Sequence, residues 1–101
     1  MKESMMGAAQ FIITGKGTTA KEVFQSVVES ACYLYGDSGY TGTIAEKLSF
    51  IEIQCPKGKT PMDLAKVLMD NDDSRISDKW GPAGCIKIKD GEFLFFGWAP
   101  E

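Results

Sequence analysis

The pattern of hydrophobic and polar residues predicts a long amphipathic helix over residues 20–35. Thr19 and Glu22 have the spacing of a capping box at its start, and Gly36 suits a glycine cap at its end. Polar residues separate apolar ones that recur every three or four positions, which is the repeat of a helix with one buried side. The predicted buried stripe consists of Ala20, Val23, Phe24, Val27, Val28, Ala31, Leu34 and Tyr35.

A second, shorter helix is predicted to begin at Thr60 and Pro61, which suit a cap and a first-turn position. It should end where the polar run 70–82 begins, and that run is expected to form a long loop anchored by Ile76 and Trp80. The apolar stripe of this helix is Leu64, Ala65, Leu68 and Met69.

Short apolar or alternating runs predict five strands, at residues 8–14, 41–45, 48–55, 84–89 and 92–99. The second and third are expected to be joined by a tight charged turn at Glu46-Lys47, and the last two by the two-residue turn Asp90-Gly91. The last strand is apolar on both faces, which predicts a central place in the sheet.

These elements predict the order β-α-β-β-α-β-β and an α+β fold. We expect two layers: one mainly antiparallel sheet of about five strands, with two helices on one face. Residues 1–7 are predicted to be a flexible N-terminal tail, and residues 8–101 a single domain.

Composition narrows the classes of function. The 101-residue chain has a net charge of −3, and only one of its eleven cations, Arg75, is an arginine. Nucleic-acid grooves favour arginine, so no nucleic-acid partner is expected. The chain contains no histidine, which is the commonest general base and metal ligand. We therefore predict no catalytic residues, no cofactor and no metal site, and lean away from an enzyme.

The cysteines and the apolar runs indicate a cytoplasmic protein. Cys32, Cys55 and Cys85 are far apart and lack metal-ligand spacing, so they are expected to be reduced and mostly buried. No signal peptide is visible, and no run approaches the roughly 20 apolar residues of a membrane span. We therefore predict no association with a membrane.

The segment 36–43 contains more glycine and tyrosine than a helix cap and a turn require. Glycine allows a ligand to approach the backbone, and tyrosine adds stacking area and a hydroxyl. We therefore predict a binding site for a protein partner or small ligand at Gly39, Tyr40, Thr41 and Gly42, with Trp80 as a neighbour if the loops 36–43 and 80–84 meet. The structural alternative is a loop packed on its own tyrosines.

A second hypothesis places an anion at the start of the first helix. Residues 15–20 have the spacing G-x-G-x-x-A, and helix N-termini attract anions. Lys16 and Thr18, with Lys47, would then bind a nucleotide or another small anion, and the protein could be an enzyme. The context does not fit a dinucleotide fold, because an antiparallel hairpin is expected after the helix.

The chain also contains a helix followed by the motifs Tyr-x-Tyr-Gly and Gly-Tyr-x-Gly-Thr-Ile. These motif positions are Tyr33, Tyr35, Gly36, Gly39, Tyr40, Gly42, Thr43 and Ile44. Over roughly residues 19–52 and 79–98 the chain resembles a family of small phage and prophage proteins of unknown function, although Asp37 stands where that pattern often has histidine. The resemblance implies an intracellular protein of a phage or of its host, acting on host machinery, and brings no established activity.

Together these observations predict a small intracellular protein that acts as a non-enzymatic binding or regulatory module. The alternative is the small-molecule or nucleotide binder. Most of the run 93–98 is expected to be core, and any exposed part of it would be the interface of a homo-oligomer.

Overall fold

The computed structural model describes residues 7–36 and 41–100 and shows an α+β protein with one mixed sheet. The predicted N-terminal tail and part of the glycine-rich loop, including Gly39 and Tyr40, therefore lie outside the described residues. The strands are β1 (Ala8–Lys16), β2 (Phe50–Glu52), β3 (Ala83–Lys89) and β4 (Glu92–Pro100), and the helices are α1 (Ala20–Tyr35) and α2 (Pro61–Asp70).

Both predicted helices form, and the residues predicted to cap them, Thr19, Gly36 and Thr60, do so. The hydroxyl oxygen of Thr19 accepts a hydrogen bond from the N–H of Glu22 at 3.2 Å, and the N–H of Gly36 donates to the carbonyl of Cys32 at 2.8 Å. Thr60 caps α2 in the same way, by accepting from the N–H of Asp63. Each cap satisfies a backbone group that the helix itself leaves without a partner.

The sheet has four described strands in the order β1-β4-β3-β2. β4 pairs antiparallel with β1 and with β3, while β2 and β3 are parallel. Asp90 and Gly91 join β3 to β4 as predicted, and β4 is central as predicted. The order through the described residues is therefore β-α-β-α-β-β, with one strand fewer than the sequence suggested.

The strand predicted at 41–45 is wrong: Ile44–Glu46 is a short 3-10 turn. The strand predicted at 48–55 is reduced to Phe50–Glu52, which pairs with the first residues of β3. Local side-chain hydrogen bonds in the first segment offer the backbone an alternative to a sheet. The hairpin predicted at Glu46-Lys47 consequently does not exist.

The helices lie on opposite faces of the sheet, so the prediction of two layers with both helices on one face is wrong. Side chains on a strand alternate between faces. Phe93 and Phe95 of β4 pack in one apolar cluster with α1, whereas Leu94 and Phe96 pack in a second cluster with α2. The molecule has three layers, and β4 is buried on both sides because a helix covers each.

Of the two residues predicted to anchor the loop before β3, only one is buried. In the loop 71–82 Ile76 is fully buried, as predicted, but Trp80 is exposed and is not an anchor of the core. Within residues 7–36 and 41–100, no helix is both long and apolar enough to span a membrane.

Candidate binding site

Thr41 begins the described part of the candidate loop, and its polar atoms are engaged locally. Its N–H and its hydroxyl both donate to one carboxylate oxygen of Glu46, at 3.1 and 2.8 Å, and its hydroxyl lies 2.8 Å from that of Thr43. The Thr43 hydroxyl oxygen also accepts from the N–H of Ala45. These bonds cap and hold the 3-10 turn, so the hydroxyl of Thr41 has a structural role.

Gly42 joins this segment to the sheet. It is buried, has a φ of 71°, and donates its N–H to the carbonyl of Pro100 at 2.8 Å. A left-handed backbone conformation of this kind favours glycine. Pro100 pairs with Ala8, so Gly42 is fastened where β4 ends and β1 begins. The backbone conformation and this hydrogen bond account for the presence of glycine at position 42.

Lys47 follows the 3-10 turn and is the one charged residue that the described part of the chain buries, with 2% of its surface exposed. Its ammonium donates to the carbonyls of Asp78, Lys79 and Gly81 at 3.4, 3.1 and 2.9 Å. Burial lowers the pKa of Lys47 from 10.5 to about 8, although the nearby Asp78 carboxylate acts in the opposite direction. Lys47 therefore clamps the turn 78–81 to the segment that follows the glycine-rich loop.

Trp80 lies in this clamped turn and is 65% exposed. The ammonium of Lys79 is 5.4 Å from the centre of the Trp80 ring, which is a cation–π distance. The backbone N–H of Trp80 donates to the Asp78 carboxylate at 2.9 Å. The two loops are thus connected through Lys47, although Trp80 does not line the groove at Gly42.

That groove, of about 300 Å³, lies between β1, the end of α1 and the segment after the glycine-rich loop. Four consecutive β1 residues, 10–13, line one side, and Ala31, Tyr35 and residues 42–44 line the other. Successive side chains on a strand point to opposite faces, so a groove that touches four in a row lies at the edge of β1 that faces away from β4. It offers a ligand apolar area.

The last turn of α1 extends the apolar surface beside this groove. The buried residues of α1 end at Ala31, and Tyr33, Leu34 and Tyr35 are 88%, 70% and 62% exposed. The helical repeat placed Leu34 and Tyr35 in the buried stripe, which is wrong because this turn lies beyond the part of the helix that the core covers. Exposed tyrosines next to a groove are a feature of binding surfaces.

The structure does not bring together the three residues of the anion hypothesis. Lys16 and Thr18 are exposed at the hairpin end of the sheet, where Lys16 pairs with Glu92. Lys47 holds the turn before Ala83, at the other end of β3, roughly 20 Å away by strand length. The ammonium of Lys47 donates hydrogen bonds to three backbone carbonyls, so it does not complete an anion site.

A further pocket of about 380 Å³ lies beyond the end of β2, between residues 52–55 and the side chains of Cys85 and Lys87. Burial raises the pKa of the Cys85 thiol from 9.0 to about 12, so the thiol stays protonated. The three cysteines are free, with Cys85 buried and the other two half-buried. No group of acids and cysteines among the described residues has the arrangement of a metal site.

Comparison with known protein families, with curated proteins and with solved structures gave no match for this chain.

Proposed function

We propose that this protein is a non-enzymatic binding module that recognises a protein partner through the groove beside the last turn of α1. One observation carries the proposal. Residues 10–13 of β1 and Gly42 border the same groove as Tyr35, and the neighbouring Tyr33 and Leu34 expose large aromatic and apolar side chains. An intracellular role in a phage or its host is part of the proposal and rests on the resemblance of the motif that includes Tyr33, Tyr35 and Gly42.

The chemistry beside the groove suits a protein better than a small anion. The hydroxyls of Thr41 and Thr43 are bonded within the loop, and the ammonium of Lys47 is bonded to carbonyls. Apolar and aromatic area remains, with tyrosines that lose little conformational entropy on binding. The alternative small-anion site at the start of α1 is weakened because Thr19 already caps that end, and the acid Glu22 lies in the first turn.

The test uses two double variants of exposed apolar residues, one at each helix. Tyr33→Ser with Tyr35→Ser alters the proposed surface, and Met62→Ser with Val67→Ser alters exposed residues of α2 as a matched control. Each is used as bait in an extract of a phage-carrying bacterium, with retained proteins quantified by mass spectrometry. We expect a set retained by the wild type and the control and lost with the α1 variant.

The same set retained by all three baits would contradict the proposal. A melting experiment with phosphate and nucleotides addresses the alternative. Stabilisation of the wild type by more than about 1 kcal/mol at saturating ligand, lost in Lys16→Ala, would favour the anion site at the start of α1.

A further inference from the structure

β1 is an edge strand, and among the described residues no strand pairs with its outer side. All nine of its residues pair with β4 on the inner side, in a register without a shift. An edge of this length presents a row of backbone donors and acceptors that can pair with another chain. The opposite edge of the sheet, β2, has only three residues and presents little for pairing.

The hydrogen-bond pattern shows which groups β1 directs outward. The N–H of Gly17 donates to the carbonyl of Gly91 at 2.9 Å, and these two residues continue the register in which Lys16 pairs with Glu92. In an antiparallel pair, residues alternate between bonding across to the partner and pointing away from it. The residues whose N–H and C=O point outward are therefore Ala8, Gln10, Ile12, Thr14 and Lys16.

Nothing in the sequence of β1 protects this edge. Protected edges carry proline, a bulge or charges in the middle of the strand. β1 has no proline, and its single charge, Lys16, is at the end. Phe11, Ile12 and Ile13 make its centre apolar, and all three are only half-buried.

We propose that the outer edge of β1 pairs antiparallel with the same edge of a second copy, about a two-fold axis at Ile12. The two sheets then form one continuous eight-stranded sheet. Residues 93–98, of which any exposed part was expected to be an oligomer interface, are buried within the protomer, so the outer edge of β1 is a different surface. The interaction goes beyond the proposed function and does not depend on it.

The outer edge of β1 is complementary to itself, which favours a second copy as the partner. With Ile12 opposite the partner's Ile12, Gln10 meets Thr14, Phe11 meets Ile13, and Ala8 meets Lys16. Apart from the terminal pair Ala8–Lys16, polar side chains thus meet polar ones and apolar ones meet apolar, and no like charges oppose each other. All five outward-pointing residues meet one another, which allows about ten backbone hydrogen bonds. A shifted register would leave some of these groups without a partner.

The axis would also bring the two binding grooves together, because residues 10–13 line each groove and lie within two residues of Ile12. Phe11 and Ile13 face the α1 side, so the paired strands would add a shared apolar strip between the grooves. A partner bound at one groove would then lie next to the second.

The test introduces charge at Gln10 and Thr14, whose side chains are exposed in the protomer. One variant carries Gln10→Lys with Thr14→Lys, and the other carries Gln10→Glu with Thr14→Glu. In the proposed register each variant places like charges directly opposite each other at two sites, which opposes pairing. An equimolar mixture places opposite charges there instead. Sedimentation velocity over a concentration series gives the mass, and circular dichroism and melting confirm folding.

We expect the wild type to sediment at twice the protomer mass of 11.0 kDa. Each charged variant alone should sediment as an 11.0 kDa monomer, and the mixture should recover the dimer. A monomeric wild type throughout the series would overturn the proposal, as would charged variants that remain dimeric or assemblies larger than a dimer. A mixture that stays monomeric would exclude this register. Because the readout is mass, the result is separate from whether the groove binds a partner.

Discussion

The ammonium of Lys47 lies 2.9 Å from the carbonyl oxygen of Gly81, a residue 34 positions away in the chain. The carbonyls of Asp78 and Lys79 complete the set of acceptors. A protonated lysine has three donors, so each can have its own carbonyl. The bond joins the residue after the 3-10 turn to the turn 78–81 before β3, which contains Trp80.

Replacing Lys47 by methionine should lower the free energy of unfolding by about 1–3 kcal/mol at pH 7, because the three carbonyls would lose their donor. Methionine retains most of the volume, so the effect reports the hydrogen bonds rather than a cavity. Denaturant unfolding measures it. Lys57→Met, at an exposed loop position, is the control and should change the free energy by less than about 0.5 kcal/mol. Equal effects of the two substitutions would show that the clamp contributes nothing.

The same lysine should give a stability difference that depends on pH. Its pKa is about 8 in the folded protein against 10.5 for a free lysine side chain. Between these values the unfolded chain keeps its proton and the folded protein releases it, so the free energy of unfolding contributed by Lys47 rises with pH, by up to roughly 3 kcal/mol.

The measurement is the difference in unfolding free energy between wild type and Lys47→Met from pH 7 to 10.5. Cys85 has the opposite effect above pH 9, because its pKa is about 12 when folded against 9.0, but it is present in both proteins and cancels in the difference. A gap that widens with pH supports the lowered pKa of Lys47. A constant gap would mean that the buried ammonium is not destabilised.

Local signals predicted the elements whose formation depends on local chemistry. Thr19 caps α1 as the sequence indicated, by accepting from the N–H of Glu22, and Asp90 with Gly91 makes the predicted hairpin turn. The segment 41–45 failed because its composition suits a strand, while the hydroxyl of Thr41 and the carboxylate of Glu46 stabilise a turn that a strand pattern does not reveal.

The placement of both helices on one face failed for a different reason. β4 is apolar on both faces, which correctly predicted its central position. The same pattern also requires cover on both faces, and Phe95 and Phe96 show it by packing against α1 and α2 respectively. The apolar pattern of β4 therefore indicated that both faces of the sheet are covered, whereas the patterns of the two helices do not indicate which face each one covers.

The binding role expected of residues 39–42 and Trp80 stays a prediction, and Gly39 and Tyr40 lie outside the described residues. What the structure shows for Gly42 is a structural role, through its positive φ and its hydrogen bond to Pro100. The role of Lys47 had no signal in the sequence, since its carbonyl partners lie 31 to 34 residues away and any residue has a carbonyl. The exposure of Leu34 and Tyr35 was missed because helical periodicity does not report where the core beneath a helix ends.

The cysteines should differ sharply in reactivity. Cys85 is 1% exposed and its raised pKa reduces its thiolate fraction roughly a thousandfold, whereas Cys32 and Cys55 are half-buried. Brief treatment with iodoacetamide at pH 8 should therefore label Cys32 and Cys55 in the native protein and spare Cys85, as read by peptide mass spectrometry. In denaturant all three should label at similar rates. Rapid labelling of Cys85 in the native protein would contradict its burial.

Gly84, the glycine of β3, should not tolerate replacement by alanine. A Cβ added there would lie 2.6 Å from Cε1 of the Phe96 ring and 3.0 Å from Cγ2 of Ile76. Both neighbours are buried in the core, so neither ring nor methyl group can move without disturbing the packing. Gly84→Ala should lower the free energy of unfolding by about 3 kcal/mol.

Gly58→Ala is the matched control, because Gly58 has nothing within 4 Å of an added Cβ and a φ of +87°. Gly58→Ala should lower the free energy of unfolding through backbone strain alone, by about 1 kcal/mol. The two variants therefore separate packing from conformation, and denaturant unfolding should rank Gly84→Ala well below Gly58→Ala in stability. The reverse order would mean that β3 and β4 are not packed as closely at Phe96 as the structure shows.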